Sequence, residues 1–276
     1  MHPVMITKRP NTSTSNFPHT ALHSAFVIAR YTLIEALRNR LLWIVAASIG
    51  VSLISAAFLQ AVAITEAKQI QAAILAALLR LSAVFIVVSF IVTSMVREAN
   101  DKGLELILAL PLPRASYFFG KLAGFAVSAI VLAALFGLPL TLFAPWLQVG
   151  AWTVSLACEL LIMTTLSLFC VMSLNQVTSA LAAAAGFYVL SRSIGAIQVI
   201  AAAPLDTAGS LGNDVIRLLI DVFALLLPHL DRITRTEWLL YAAPDAASMA
   251  AAALEAAIYG GLLCGAALFD FYRKNF

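Results

Sequence analysis

Long runs of apolar residues without a charge dominate the sequence and predict helices that cross a membrane. Residues 41–65 contain no Asp, Glu, Lys or Arg, and at ~1.5 Å per residue a helix of this length reaches about 37 Å, enough to cross a bilayer. The uncharged stretch 122–158 is too long for one span, and Pro139 and Pro145 divide it. Six spans are therefore expected: TM1 41–65, TM2 71–96, TM3 118–144, TM4 152–173, TM5 179–203 and TM6 246–269.

Other segments are predicted to lie outside the spans. Residues 25–40 combine apolar positions at helical spacing with Arg30, Glu35 and Arg38, which is typical of an amphipathic helix in the inner membrane interface. Residues 204–238 hold an apolar run too short to span, so they are expected to form an outer re-entrant or interfacial segment. The two polar ends are expected to be a disordered cytoplasmic N-terminus, 1–24, and a cytoplasmic tail, 270–276.

The composition narrows the class of protein. Of the 276 residues, 62% are hydrophobic and 11% are charged, and the mean hydropathy is +0.96. Soluble domains carry about 25% charged residues, so a soluble enzyme, a nucleic-acid-binding module and a disordered chain are excluded. The expected fold is an all-α membrane protein in contact with membrane lipid, with no nucleic-acid partner.

The distribution of Lys and Arg predicts the orientation of the chain. Six spans place both termini on one side of the membrane. That side, which includes the loop after TM2, carries eleven basic residues, and the opposite side carries four, Lys68, Arg217, Arg232 and Arg235. Because basic residues accumulate on the cytoplasmic side, we expect a multi-pass protein of the cell inner (cytoplasmic) membrane with both termini in the cytoplasm.

Four ionisable residues lie inside the predicted spans: Arg80, Glu159, Arg192 and Glu255. A charge that faces lipid is costly, so these side chains are expected to face the bundle interior or water. They either line a substrate path or form buried pairs that set the helix register. TM4 and TM5 are antiparallel neighbours, which allows a pair between Glu159 and Arg192.

The sequence offers no catalytic, cofactor or metal site. Its three cysteines lie in apolar stretches, as packing thiols do, and no Cys/His cluster has the spacing of metal ligands. The phosphate-binding pattern of ATPases is absent, because Leu122 follows Gly120-Lys121 where Ser or Thr is required. We therefore expect the chain to bind no cofactor and not to be an enzyme by itself.

The predicted loop 97–117 is unusual for a connector. Leu104, Ile107 and Leu108 stand at i, i+3 and i+4, which places them on one face of a short helix. Composition alone would favour an ordinary solvated connector. However, this much apolar surface requires either the membrane interface or a partner protein.

The loop resembles the segment between the second and third spans of ABC-2-type transporter permeases. In that family an acidic residue precedes Gly-Thr-Leu-Glu, an apolar turn, Pro-x-x-Arg and a later Gly-Lys. This chain departs at one place, because Leu104 directly follows Gly103 and the threonine is missing. Residues 25–40 are similar to the interfacial helix before the first span of the family. The residues that carry the resemblance in the loop are Glu98, Lys102-Gly103-Leu104-Glu105, Ala109-Leu-Pro-Leu-Pro-Arg114, Tyr117 and Gly120-Lys121.

The resemblance implies a six-helix fold of the ABC-2 exporter type and a transport function. Two permease chains, identical or different, would assemble with two separate ATPase subunits, which would bind ATP and Mg. ATP binding would close the ATPases, and the loop would pass that motion to the spans. The residues expected to couple the loop to the ATPase are Glu98, Lys102, Gly103, Leu104, Glu105, Ile107, Leu108 and Arg114.

Three other functions remain open at this point. An ATP-independent transporter or channel would have no docked ATPase, and a membrane scaffold subunit would show no ATPase activity stimulated by a substrate. An intramembrane enzyme would need a convergent polar site, and the spans contain no His and few acids.

The predicted topology can be tested by labelling single cysteines in a Cys-free background. A membrane-impermeant reagent added outside should label cysteines at Gln148 and Gly209 but not at Asn100 or Asn275, because the basic residues hold the latter pair inside. Labelling of the Asn100 position from outside would invert the orientation.

Overall fold

The chain folds into a bundle of long helices. The computed structural model describes residues 17–38, 41–62, 67–101, 114–174, 176–202, 211–235, 237–241 and 243–273, and no strand occurs within these ranges. The α-helices are α1 Phe17–Arg38, α2 Leu41–Val62, α3 Ala67–Asn100, α4 Arg114–Gly137, α5 Trp146–Leu174, α6 Val177–Ala202, α7 Leu211–Leu226, α8 Leu230–Ile233, α9 Glu237–Leu240 and α10 Ala246–Arg273. Six of them, α2 to α6 and α10, are long and apolar enough to cross a membrane. The prediction of an all-α, multi-pass membrane protein is confirmed.

The bundle has two distinct ends. At the end that we call the loop end, α3 finishes and α4 begins, and Tyr117 stacks on Phe271 with 6.2 Å between ring centroids. At the opposite end, the cap end, the short helices α8 and α9 pack against α5 and its neighbours. The cap is the region predicted as an outer re-entrant or interfacial segment, and its longest helix, α7, stops two residues before Pro228, which cannot continue a helix.

Helix α5 forms the core of the bundle. It contacts α3, α4, α6 and α10, and 72% of its most apolar stretch is buried, against 17% in the corresponding stretches of α2 and α10. Its buried hydroxyls bond within the helix, as Thr164 donates to the Leu160 carbonyl at 2.7 Å and Ser167 to the Met163 carbonyl at 2.7 Å. These bonds satisfy polar groups that no water could reach.

Helix α1 lies against α4 through two glycines one turn apart. A Cβ atom at Gly120 would lie 2.9 Å from the Ala25 carbonyl oxygen, and one at Gly124 would lie 2.7 Å from the Thr32 Cβ. Only glycine allows so close an approach of two helices. The segment predicted as an interfacial helix over 25–40 is therefore fixed along α4.

The start of α1 corrects one sequence-based expectation. The helix begins at Phe17, so the predicted disordered N-terminus, 1–24, is helical over its last eight residues. Pro18 is compatible with this start because the first helical turn needs no backbone N–H from it. Residues 1–16 lie outside the described ranges.

Several helices extend beyond the predicted spans. Helix α3 extends from Ala67 to Asn100 and α4 begins at Arg114, so both flanks of the predicted loop 97–117 are helical. Lys, Gln, Arg and Glu have high helix propensity, so α3 and α4 continue beyond their apolar segments. Helix α5 starts directly after Pro145, six residues before the predicted start of TM4, and Gly150 does not interrupt it.

The contact between α1 and α4 predicts a difference between two glycine-to-alanine variants. Gly124→Ala should lower the free energy of unfolding by about 1–3 kcal/mol, because the new methyl group overlaps Thr32. The midpoint of thermal unfolding should fall accordingly. Gly186→Ala in α6 is the matched control, since nothing lies within 4 Å of its Cβ position, and it should be neutral or stabilising. Equal effects of the two variants would contradict the close packing of α1 on α4.

Candidate functional site

Three of the predicted intramembrane charges meet inside the bundle. Arg80 on α3 and Glu159 on α5 each stand thirteen residues from the cap end of their helix, a depth of about 20 Å at 1.5 Å per residue. Arg192 on α6 stands ten residues from its cap end, at about 15 Å. We call these three residues the charge cluster.

Arg80 is held by polar and aromatic groups of α5. Its Nη1 donates to Glu159 Oε2 at 3.0 Å and its Nη2 donates to Ser155 Oγ at 3.1 Å. Its guanidinium also lies over the Trp152 ring, 5.1 Å from the ring centroid, as in a cation–π contact. Because Ser155, Glu159 and Trp152 lie on successive turns of one helix face, α5 presents a complete site for a single arginine.

Arg192 shares the same carboxylate from the other side. Its Nη1 lies 3.5 Å from Glu159 Oε1 and donates to Thr234 Oγ1 of the cap at 2.9 Å. The Arg192 side chain is 36% exposed, whereas that of Glu159 is fully buried. Arg192 therefore joins the buried pair to the cap and reaches a cavity of about 510 Å³ there.

The charge balance of the cluster makes it a strong constraint on the fold. One carboxylate serves two guanidinium groups, and Arg80 and Glu159 have almost no exposed surface. A buried ion pair gives little net stability compared with apolar packing, but removing Glu159 would leave two arginines without their shared counter-charge. The three helices α3, α5 and α6 are thus held in one register.

The sequence predicts part of this arrangement. The pair between Glu159 and Arg192, which the sequence allows, is found. The sequence does not predict that Arg80 also pairs with Glu159, although Arg80 is the nearer of the two arginines. Glu255 lies apart from the cluster: its carboxylate accepts the backbone N–H of His229 at 3.1 Å, and it lines a second cavity of about 220 Å³. Thr234 and Tyr188, which adjoin the cluster, carry no sequence signal of their own.

A second group of charged residues lies at the loop end. Glu98, near the end of α3, receives a hydrogen bond from the Tyr117 hydroxyl at 2.9 Å and pairs with Lys121 at 2.6 Å. Tyr117 and Lys121 stand one turn apart on α4. Both side chains of the Glu98–Lys121 pair are largely buried, so the contact is a charge-assisted bond of the stronger kind. We call these three residues the loop clamp.

The loop clamp is connected to α1 and α10. Arg97 pairs with Glu35 of α1 at 2.6 Å, and Ser94 donates to the same carboxylate at 2.9 Å. On the opposite side the Tyr117 ring stacks on Phe271 of α10. The two flanks of the loop are therefore joined to each other and to two further helices.

The structure places only some of the residues expected to couple the loop to an ATPase. Glu98 is found, with its carboxylate engaged by α4, and Arg114 is the first residue of α4. Tyr117 and Lys121 belong to the resemblance but were assigned no role by it. The remaining residues lie outside the described part of the chain: Lys102, Gly103, Leu104, Glu105, Ile107 and Leu108.

Comparison with known proteins does not identify a family for this chain. A scan against protein-family models gives no match, and a search of curated proteins finds no similar sequence. Among the described residues, no group of three His, Cys, Asp or Glu side chains could hold a metal ion. The charge cluster and the loop clamp are therefore the features of the described structure that bear on function.

The charge cluster predicts that Glu159→Gln destabilises the bundle by about 3–5 kcal/mol, because two arginines lose their only shared counter-charge. Glu255→Gln is the matched control; an amide oxygen still accepts the His229 N–H, so its effect should be small. Thermal unfolding of both variants at equal membrane abundance measures the difference. If Glu159→Gln unfolds like wild type, the cluster does not constrain the fold.

Proposed function

We propose that this chain is the membrane subunit of an ABC exporter of the ABC-2 type. Two such chains would span the membrane, and two separate ATPase subunits would bind the cytoplasmic loops. ATP and Mg would be held by the ATPases and not by this chain. The transport cycle would then alternate between two arrangements of the spans that bind the ATPase dimer differently.

The observation that carries the proposal is the loop clamp. A coupling loop must transmit a displacement, so its two flanks have to be joined to the moving helices more firmly than a connector requires. Glu98 ties the end of α3 to Tyr117 and Lys121 at the start of α4, and these contacts close the base of the loop. An ordinary solvated connector has no need of a largely buried ion pair at its base.

The contacts of the clamp define where a displacement would travel. Arg97 and Glu35 connect the base of the loop to α1, and Tyr117 connects it to α10 through Phe271. Helix α1 is in turn packed against α4 through Gly120 and Gly124. A force on the loop would therefore move α1, α3, α4 and α10 as one unit.

The loop face is tested with two aspartate variants one residue apart. Ile107→Asp places a charge on the face that also holds Leu104 and Leu108, where burial against an ATPase is worth about 1.5–3 kcal/mol for each large side chain. Leu106→Asp places the same charge on the opposite side of the predicted helix. At equal membrane abundance, Ile107→Asp should lose the ATPase partner that co-purifies with the wild-type permease, and Leu106→Asp should retain it.

The loop clamp gives a second readout in the same assay. Glu98→Lys should keep the ATPase but separate ATP hydrolysis from transport, and adding Lys121→Glu should restore the ion pair and part of the coupling.

The proposal is wrong if no ATPase co-purifies with wild type, which would favour an ATP-independent transporter or channel. It is also wrong if an ATPase binds equally to Ile107→Asp and Leu106→Asp.

A further inference from the structure

An apolar groove lies between α3 and α6, inside the membrane-spanning part of the bundle. Val84 and Val88 of α3 form one wall, Ala185 and Tyr188 of α6 form the other, and Met163 of α5 lies at the base. The groove has a volume of about 350 Å³. Its rim includes well-exposed side chains of both helices, Leu81, Phe85 and Val189, so the groove opens towards lipid.

One turn of α6 beyond the groove, towards the cap, lies a cavity that is polar and of mixed charge. Tyr188, at the cap-side part of the groove, interacts with Glu159 and Arg192, and Arg192 follows it by one turn of α6. Arg192 lines the cavity of about 510 Å³ beneath the cap together with two acids, a second arginine and a threonine: Asp231, Glu237, Arg235 and Thr234. An apolar groove and a polar chamber with both signs of charge therefore lie next to each other along α6.

One acid in the chamber has an unused acceptor. Asp231 Oδ1 is buried and has no hydrogen-bond partner within the described residues. Its other oxygen, Oδ2, lies so close to α6 that a side chain at Gly195 would overlap it. Asp231 is therefore fixed in position while a buried carboxylate oxygen still requires a donor.

We propose that the groove and the chamber form one binding site for an aminophospholipid. An acyl chain would occupy the groove, the lipid phosphate would bind Arg192, and the primary ammonium would donate to Asp231. The chamber is lined by arginines and acids in equal number, so its charges complement a zwitterionic headgroup better than an anionic one. The apolar lining of the groove suits an acyl chain. That the lipid is cargo depends on the proposed export function, but its binding does not.

Native mass spectrometry of the purified chain tests the site without any ATPase. The protein is mixed with equal amounts of phosphatidylethanolamine, phosphatidylcholine and phosphatidylglycerol that carry identical acyl chains. Wild type should retain phosphatidylethanolamine in preference to both others, because choline has no N–H to donate and glycerol no positive charge. Asp231→Asn should reduce the preference over phosphatidylcholine by about tenfold, the loss expected for one charge-assisted hydrogen bond.

Matched variants separate the site from general effects on the fold. Asp221→Asn removes an exposed acid of α7 and should leave the lipid preference unchanged. Ala185→Trp should block the groove and reduce retention of all three lipids, whereas Ala183→Trp, at an exposed position of α6 that does not line the groove, should not. The proposal is overturned if wild type retains the three lipids equally, if phosphatidylglycerol is preferred, or if the preference survives Asp231→Asn. None of these outcomes bears on whether an ATPase binds the loop.

Discussion

A carboxylate without exposed surface, shared by two arginines, constrains how three helices of the bundle pack together. Glu159 stands on α5, the most buried helix, and its partners stand on α3 and α6. In a membrane, apolar side chains pack about equally well against lipid and against protein, so apolar contacts alone specify helix positions weakly. A buried charge has few acceptable environments. Rotating any of the three helices would separate the charges, so the cluster constrains the register of α3, α5 and α6.

The two arginines of the cluster are held unequally. Arg80 makes contacts to Glu159, Ser155 and Trp152, all on α5, so the interaction between α3 and α5 is fixed from several directions. Arg192 has a longer contact to Glu159, is partly exposed and bonds to the cap. If one helix of the cluster moves during a functional cycle, α6 with the cap can separate at a lower cost than α3, because Glu159 would keep Arg80 as its counter-ion.

The hydropathy pattern suffices to predict six long apolar helices and most of their extent, since each span must cover a bilayer of known thickness. It also identifies Arg80, Glu159 and Arg192 as interior residues, because lipid would not accept them. It does not predict which helices touch. Neighbours in sequence suggested the Glu159–Arg192 pair, whereas the contact between Arg80 and Glu159 joins two spans that are not consecutive. Likewise, no local pattern shows that Gly120 and Gly124 would receive α1, or that Asp231 would lie against Gly195.

The charge cluster and the loop clamp are connected by one continuous helix, α3. Helix α3 contains neither Gly nor Pro between Ala67 and Asn100, so it lacks the two residues most often found at helix kinks. It carries Arg80 of the charge cluster and Glu98 of the loop clamp, eighteen residues apart, or about 27 Å along the axis. In the proposed transport function, a tilt of α3 imposed at the clamp would be carried along the helix towards the cluster. There it would act on the Arg80–Glu159 pair at 3.0 Å, and the longer contact of Glu159 with Arg192, at 3.5 Å, would be the first to change.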